Sequence, residues 1–264
     1  MRRIESEETM THLAIVTTRL RAAGFVAADE EALELLACSN GDATFLDSLL
    51  ERRLHGEPLA WITGFAMFCG LRIEVVPWVY VPRWQTEPLA RRAASRLPPR
   101  GLAIDVCTGS GAIATYLMNE HPDSRVVATD LDGIAAACAT SNGVEVFEGD
   151  LFDPLPSALR GRADVIVGVA PYVPTYSMHL LPRDTFAFET TLSYDGGEDG
   201  AEILRRVLAE SPRYLRRGGA LLLELGGDEA QILRDDFERE GFGDVTSIHD
   251  EDGDVRGIEV TLIA

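Results

Sequence analysis

The chain contains no lysine; all 24 of its Lys and Arg positions are arginine. That absence excludes a lysine Schiff base as a catalytic device, and it excludes a P-loop, whose lysine must reach the terminal phosphates. Positive charge is scarce overall: Asp and Glu number 43, for a formal net charge of −19. So acidic a chain repels a phosphate backbone unless a local basic patch offsets it. The arginines supply only short pairs, Arg52-Arg53, Arg91-Arg92, Arg205-Arg206 and Arg216-Arg217, which fall in helical segments and read as solvated helix faces. Nucleic acid is therefore not an expected partner. The four cysteines, Cys38, Cys69, Cys107 and Cys138, lie far apart with no CxxC pair. Neither a metal site nor a disulfide framework is expected, and a reducing, cytoplasmic setting fits. No apolar run approaches the roughly 18 residues of a membrane span, and the first residues lack an apolar targeting segment, so neither membrane insertion nor secretion is expected.

What is present is a change of period along the chain. Leu13, Val16, Leu20 and Ala23 recur at helical spacing up to Gly24. Ala32, Leu33, Leu35 and Leu36 follow up to Asn40-Gly41, then Phe45, Leu46, Leu49, Leu50 and Leu54 up to Gly56, which together predict a small three-helix bundle. Leu71, Ile73 and Val75 then alternate with polar residues, and Trp78 to Val81 is a second extended run, which predicts a β-hairpin. Leu89, Ala93 and Leu97 mark one more helix face before Pro98-Pro99. From Leu102 the chain alternates: strands at Leu102–Val106, Arg125–Asp130, Val144–Phe147, Ala163–Val169 and Ala220–Leu225, and helices at Ala112–His121, Gly133–Ser141, Asp199–Leu215 and Glu229–Glu240. Val245–Ile248 and Gly257–Ile263 close the chain as two antiparallel strands. This is the pattern of an α/β protein with a mostly parallel sheet covered on both faces.

The first strand of that alternation runs into Asp105-Val106-Cys107-Thr108-Gly109-Ser110-Gly111-Ala112 and then a helix. Small residues let a ligand approach the backbone, and the helix N-terminus offers free N–H groups. Asp130 ends the next strand, 19 residues after Gly111, where its carboxylate can accept two ribose hydroxyls. Asp150 and Leu151 follow the third strand, where an acidic side chain suits an adenine amino group. Gly109-x-Gly111-x-x-Ala114 matches a dinucleotide fingerprint in form. The carboxylate of Asp105 ahead of the glycines instead favours a cationic ligand, as in S-adenosylmethionine-dependent methyltransferases. A purely structural turn is the third reading.

Further pieces carry a resemblance. Gly56-Glu57-Pro58-Leu59 with Ile62 and Gly64, Val81-Pro82-Arg83 with Thr86-Glu87, and the loop from Asp105 to Ala112 come first. Asp164-Val165-Ile166-Val167, Ala170-Pro171-Tyr172-Val173-Pro174, Glu189, Asp195-Gly196-Gly197 with Asp199-Gly200, Gly218-Gly219, Leu223-Glu224 and Asp252-Gly253 with Arg256 follow in order. In that order and spacing the chain resembles the HemK/PrmC family of protein glutamine methyltransferases, in an actinobacterial-like branch. The resemblance implies a class I S-adenosylmethionine-dependent methyltransferase fold, Rossmann-like with a mostly parallel seven-stranded sheet. It implies an N-terminal helical docking domain over 1–63, a β-hairpin linker over 64–85 and a catalytic domain over 86–264. It implies S-adenosyl-L-methionine as cofactor, held by Asp105, Thr108, Gly109, Ser110, Gly111, Asp130, Leu131, Asp150 and Leu151. Arg83, Thr86, Glu87 and Glu189 are the implied substrate-side residues, and a release-factor-like protein is the implied partner.

The family aims an amide lone pair with an Asn-Pro-Pro-Tyr loop. The Asn side-chain oxygen and the next backbone carbonyl accept the two N–H groups, and the aromatic ring keeps the amide flat. Here the loop reads Val169-Ala170-Pro171-Tyr172, with no side-chain acceptor at its first position. Loss of one oriented hydrogen-bond group in a closed site costs several kcal/mol, roughly a hundred- to thousand-fold in rate. Three readings follow: another nucleophile, such as a hydroxyl, a carboxylate or a small-molecule amine; slow amide methylation; or cofactor binding without turnover. His179, Asp184 and Glu189 are candidate general bases for a hydroxyl. Trp61, Phe65, Phe68 and Trp78 read as packing residues, and Cys107 as a small spacer.

Overall fold

A computed structural model describes residues 7–180, 188–225 and 229–263. Asp184 lies outside the described residues. The chain divides into two compact units, one ending at Phe65 and the other beginning at Ala66.

The first unit is helical: α1 (Glu7–Ala22), α2 (Ala28–Ser39), α3 (Ala43–Leu54) and a short α4 (Leu59–Thr63), the last unread in the sequence. Leu20, Leu35, Leu49 and Leu50 form its buried centre, the inward set that the helical spacing marks. Asn40 and Gly41 both adopt positive φ and end α2, and Asp42 caps α3 by accepting from the Phe45 N–H at 3.0 Å. Arg53 pairs with Glu31 at 2.7 Å and lies over the Phe25 ring, so this arginine is spent inside the unit.

The second unit opens with a hairpin, β1 (Phe65–Phe68) and β2 (Leu71–Glu74), and here the structure corrects the sequence reading. The turn is Cys69-Gly70, with φ of 49° and 78°. Two successive positive-φ residues are the tight hairpin connection that matches strand twist. Trp78 to Val81 is not a strand: Pro77 and the positive φ of Trp78 (74°) put a turn there. Phe68 is fully buried, whereas Trp78 is exposed.

After α5 (Glu87–Arg96) come β3 (Leu102–Val106), α6 (Ala112–Glu120), β4 (Arg125–Asp130), α7 (Gly133–Ser141), β5 (Glu145–Glu148) and β6 (Ala163–Gly168). The remainder is α8 (Glu202–Glu210), β7 (Leu215–Glu224), the short helices α9 (Glu229–Ile232) and α10 (Arg234–Arg239), β8 (Phe242–His249) and β9 (Val255–Leu262). The strands form one seven-stranded sheet in the order β5-β4-β3-β6-β7-β9-β8, parallel throughout except for β9, which is antiparallel to both its neighbours. All five residues of β3 are buried, as a central strand covered on both faces requires. Three spans differ from expectation for local reasons. Gly200 (φ 79°) delays the start of α8 and Pro212 ends it in a 3-10 turn, so Asp199–Leu215 is not one helix. The Glu229–Glu240 helix breaks at Leu233. Strand β7 begins five residues before Ala220, because a register shift opposite β6 admits Arg216-Arg217 and the positive-φ Gly218. Arg216 and Arg217 therefore lie on a strand, not a helix face.

The strand order reverses between β3 and β6. A crevice forms outside the carboxyl ends of strands at such a switch point.

Candidate active site

That crevice is a cavity of about 880 Å³, within the roughly 300–1,000 Å³ of small-molecule sites. One wall is the loop leaving β3. Asp105 is buried, and its Oδ2 accepts from Thr108 Oγ1 at 2.6 Å and from the Ala114 N–H at 3.2 Å. Burial pushes its carboxyl up to about 7, against the pull of those two donors. Gly109 (φ 58°) faces open space, with nothing within 4 Å of where a Cβ would sit. Gly111 does different work: a Cβ there would come within 2.9 Å of the Ala139 Cβ, so this glycine packs α6 against α7 and is not part of the cavity wall. Burial raises the Cys107 thiol far above its ordinary range, which leaves it an inert spacer.

Asp130 at the end of β4 accepts the Gly109 N–H through Oδ2 at 2.8 Å and the Asp132 N–H through Oδ1 at 2.9 Å. A carboxylate has about four acceptor sites, so acceptor capacity remains for a ligand. Thr129 Oγ1 is buried, lines the cavity and has no hydrogen-bond partner among the described residues. Asp150 is paired with Arg206 of α8 at 2.8 Å. Leu131, Leu151 and Ile203 also line the cavity with apolar surface.

The opposite wall is the chain leaving β6. A Cβ on Gly168 would meet Val106 Cγ2 at 2.6 Å, so glycine lets β3 and β6 close together there. Val169, Ala170, Pro171 and Tyr172 all line the cavity. Tyr172 donates to Glu224 Oε1 at 3.3 Å, and Thr86 donates to Glu224 Oε2 at 2.5 Å. Burial raises the Glu224 carboxyl, with both hydroxyls opposing. Burial likewise drives the Tyr172 phenol well above its usual range, with the Glu224 charge adding to it. The turn from Asp195 to Gly200 braces this wall: Val173 N–H donates to the Tyr194 carbonyl and Gly196 N–H to the Val173 carbonyl, both at 2.9 Å. A Cβ on Gly196 would stand 2.7 Å from the Tyr172 Cα, and one on Gly200 only 2.5 Å from the Tyr172 carbonyl oxygen. Gly196→Ala is therefore expected to displace Tyr172. Since a misplacement of about 1 Å costs on the order of a hundredfold in rate, turnover should fall by that order while cofactor affinity, measured by calorimetry, stays unchanged.

The substrate-side candidates separate. Arg83 and Thr86 line the cavity, but Glu87 and Glu189 do not. Glu87 accepts the Cys69 N–H at 2.8 Å and pairs with Arg91, so it fastens the hairpin turn to α5. Glu189 is buried behind the wall, where it holds Arg83 at 2.9 Å, the Val81 N–H at 3.2 Å and the Tyr194 hydroxyl. His179 is exposed and away from the cavity. Arg206 and Tyr194 carry no distinctive local pattern in the sequence; Glu224 stands in the Leu223-Glu224 motif piece, but only the fold shows that it binds Thr86 and Tyr172.

Comparison with known proteins fits this geometry. The chain is 36% identical to a release factor glutamine methyltransferase of Geobacter sulfurreducens, over 83% of this chain and 76% of the relative. It is 33% identical to one of Mycolicibacterium smegmatis, over 96% of this chain and 98% of the relative. The chain belongs to the release factor glutamine methyltransferase family. It is an S-adenosylmethionine-dependent methyltransferase. A family described as an O-methyltransferase domain also matches residues 92–167, a segment that ends before the Val169–Tyr172 loop. A methyltransferase from Pyrococcus furiosus shares the fold, with a TM-score of 0.53 at 21% identity over 81% of this chain and 98% of that one.

The residues of the cavity fit that cofactor. The spare acceptor sites of Asp130 suit ribose hydroxyls, the open face of Gly109 leaves room, and the buried Asp105 carboxyl suits a cation. When bound, the cofactor supplies an electrophilic methyl on a positively charged sulfur. A cation beside Asp105 favours its ionised form, so binding below pH 7 must expel a proton. Affinity is expected to fall about tenfold per pH unit below about 7 and to be flat above it. Calorimetry in buffers of different ionisation heat checks this; affinity independent of pH from about 5.5 to 8 would remove Asp105 from that role.

Proposed function

We propose that this methyltransferase acts on the side-chain amide nitrogen of a glutamine in a release-factor-type protein, in the cytoplasm. Asp105, Thr108, Gly109, Ser110, Asp130, Leu131, Asp150 and Leu151 hold the cofactor in this reading, with Gly111 setting the loop's packing. Val169 to Tyr172 form the acceptor wall, Arg83 and Thr86 stand on the substrate side, and the helical unit docks the partner protein. The observation that carries it is a single cavity with the glycine loop on one wall and Ala170-Pro171-Tyr172 on the other. With the cofactor held there, the nitrogen lone pair would form the new N–C bond as the C–S bond gave its pair to sulfur, and one proton would leave the nitrogen for water. The cofactor's charge drives the step, so the protein's contribution is positioning.

Val169 weakens one side of this positioning. Val169→Asn adds a side-chain acceptor at this position and is expected to leave glutamine turnover unchanged or raise it by at most about tenfold, the worth of one neutral hydrogen bond. Steady-state methyl transfer to a release-factor domain measures it; a fall in turnover would mean that the site is shaped for some other acceptor. With its excess of acidic residues, the protein should also leave duplex DNA and structured RNA unbound at ~0.15 M salt. Retention with a steep salt slope would reveal a basic surface and a different partner class.

A further inference from the structure

Val169 occupies the motif position whose side chain would accept an amide N–H, and valine accepts nothing. The neighbouring strand places a carboxylate beside it. Strands β6 and β7 run parallel and their pairing ends with Gly168 opposite Leu223, so Val169 and Glu224 are the residues that follow that last pair on the two chains. The two side chains share a face. Val169 packs on the cluster that holds Val165, Val167 and Leu222, and Glu224 lies two residues on from Leu222 along β7. Both line the same cavity, and Glu224 is bonded to Tyr172 of the acceptor loop itself.

We propose that Glu224 accepts an N–H of the substrate amide and so takes over the part that the side chain at position 169 cannot perform. The proposal rests on the glutamine reading given above. Each oxygen of Glu224 accepts one hydroxyl, Oε2 from Thr86 and Oε1 from Tyr172. About four acceptor sites are available on a carboxylate, so each oxygen keeps one for a further donor. The two hydroxyls fix the carboxylate's plane before any substrate arrives. An acceptor held this way in a closed site needs no reorganisation when the amide enters, which is the condition under which one hydrogen bond carries a large effect on rate. The Ala170 carbonyl accepts the second N–H, and the Tyr172 ring lies against the amide plane.

A double-mutant cycle tests this, with methyl transfer to a glutamine-bearing release-factor domain and cofactor affinity measured in all four proteins. Glu224→Met removes both oxygens at similar length. In the natural background it is expected to lower turnover about a hundredfold or more. In Val169→Asn, whose new side chain supplies the acceptor, the same change should cost less than about tenfold. Equal loss in the two backgrounds would overturn the proposal, because it would mean that Glu224 only braces Thr86 and Tyr172. Loss of cofactor affinity would indicate a folding defect; Glu224→Gln then replaces it, keeping one oxygen, and should cost about tenfold in the natural background and nothing in Val169→Asn. Failure of all variants and of the natural protein to methylate glutamine would instead overturn the glutamine reading and this proposal with it.

Discussion

In Asp130→Ala the dissociation constant for S-adenosylmethionine should rise at least about a hundredfold, from near micromolar to beyond 100 μM. Two losses combine. The ribose hydroxyls lose a charged acceptor, and hydrogen bonds to charged groups are worth about 1.5–3 kcal/mol each. The Gly109 and Asp132 N–H groups, both fastened to that carboxylate, are also released, so the loop and the start of α7 lose their common anchor. Gly109→Val should be equally severe for another reason. The φ of 58° is strained for a branched side chain, and the space its Cβ would enter is the space left for the ligand. Calorimetry settles both. Affinity within about threefold of the natural protein in Asp130→Ala, or tighter binding of a nicotinamide dinucleotide, would contradict the cofactor assignment.

Tyr172→Ala should lower turnover by about two to three orders of magnitude while leaving cofactor affinity intact, because the ring stands on the acceptor side of the cavity. The loss combines the missing surface against the amide plane with the freed Glu224 oxygen. Tyr172→Phe separates the two: it keeps the ring, removes only the hydroxyl, and should cost less than about tenfold. If phenylalanine were as damaging as alanine, the hydroxyl and not the ring would be the working part. Equilibrium cofactor binding for each variant verifies the fold, since truncating a half-buried aromatic costs up to about 3–5 kcal/mol of stability.

The parts of this site that were legible in the sequence share a physical cause. Strand β3 and its loop announced themselves because a doubly buried strand is an apolar run, here interrupted only by Asp105, and because the cavity side of the loop tolerates only small residues. Asp130 and Asp150 followed from strand ends, which the parallel alternation locates to within a residue. The motif string was less able to assign work to individual residues. Glu87 and Glu189 sit in matching positions, yet the structure turns one to the hairpin turn and the other to Arg83 and Tyr194. Gly111 proved to be a packing glycine, while Gly196 and Gly200, read only as a turn, press directly on Tyr172. Glu224 belongs to the motif string, but its pairing with Tyr172, like that of Arg206 with Asp150, was invisible because it depends on contacts between elements far apart in sequence: Arg206 lies 56 residues from Asp150, and Glu224 lies 52 from Tyr172. The hairpin was misplaced because alternation alone cannot distinguish which of two runs pairs with a third; the positive φ of Cys69, unusual for a non-glycine residue, decided it.

The most direct test of the central claim uses the natural protein with methyl-labelled S-adenosylmethionine and a release-factor domain, followed by fragmentation mass spectrometry to locate the label. One methyl group on the side-chain nitrogen of a single glutamine is the predicted result. Label found instead on a hydroxyl, in nucleic acid or in the small-molecule fraction of a lysate, with the glutamine unmodified, would contradict it.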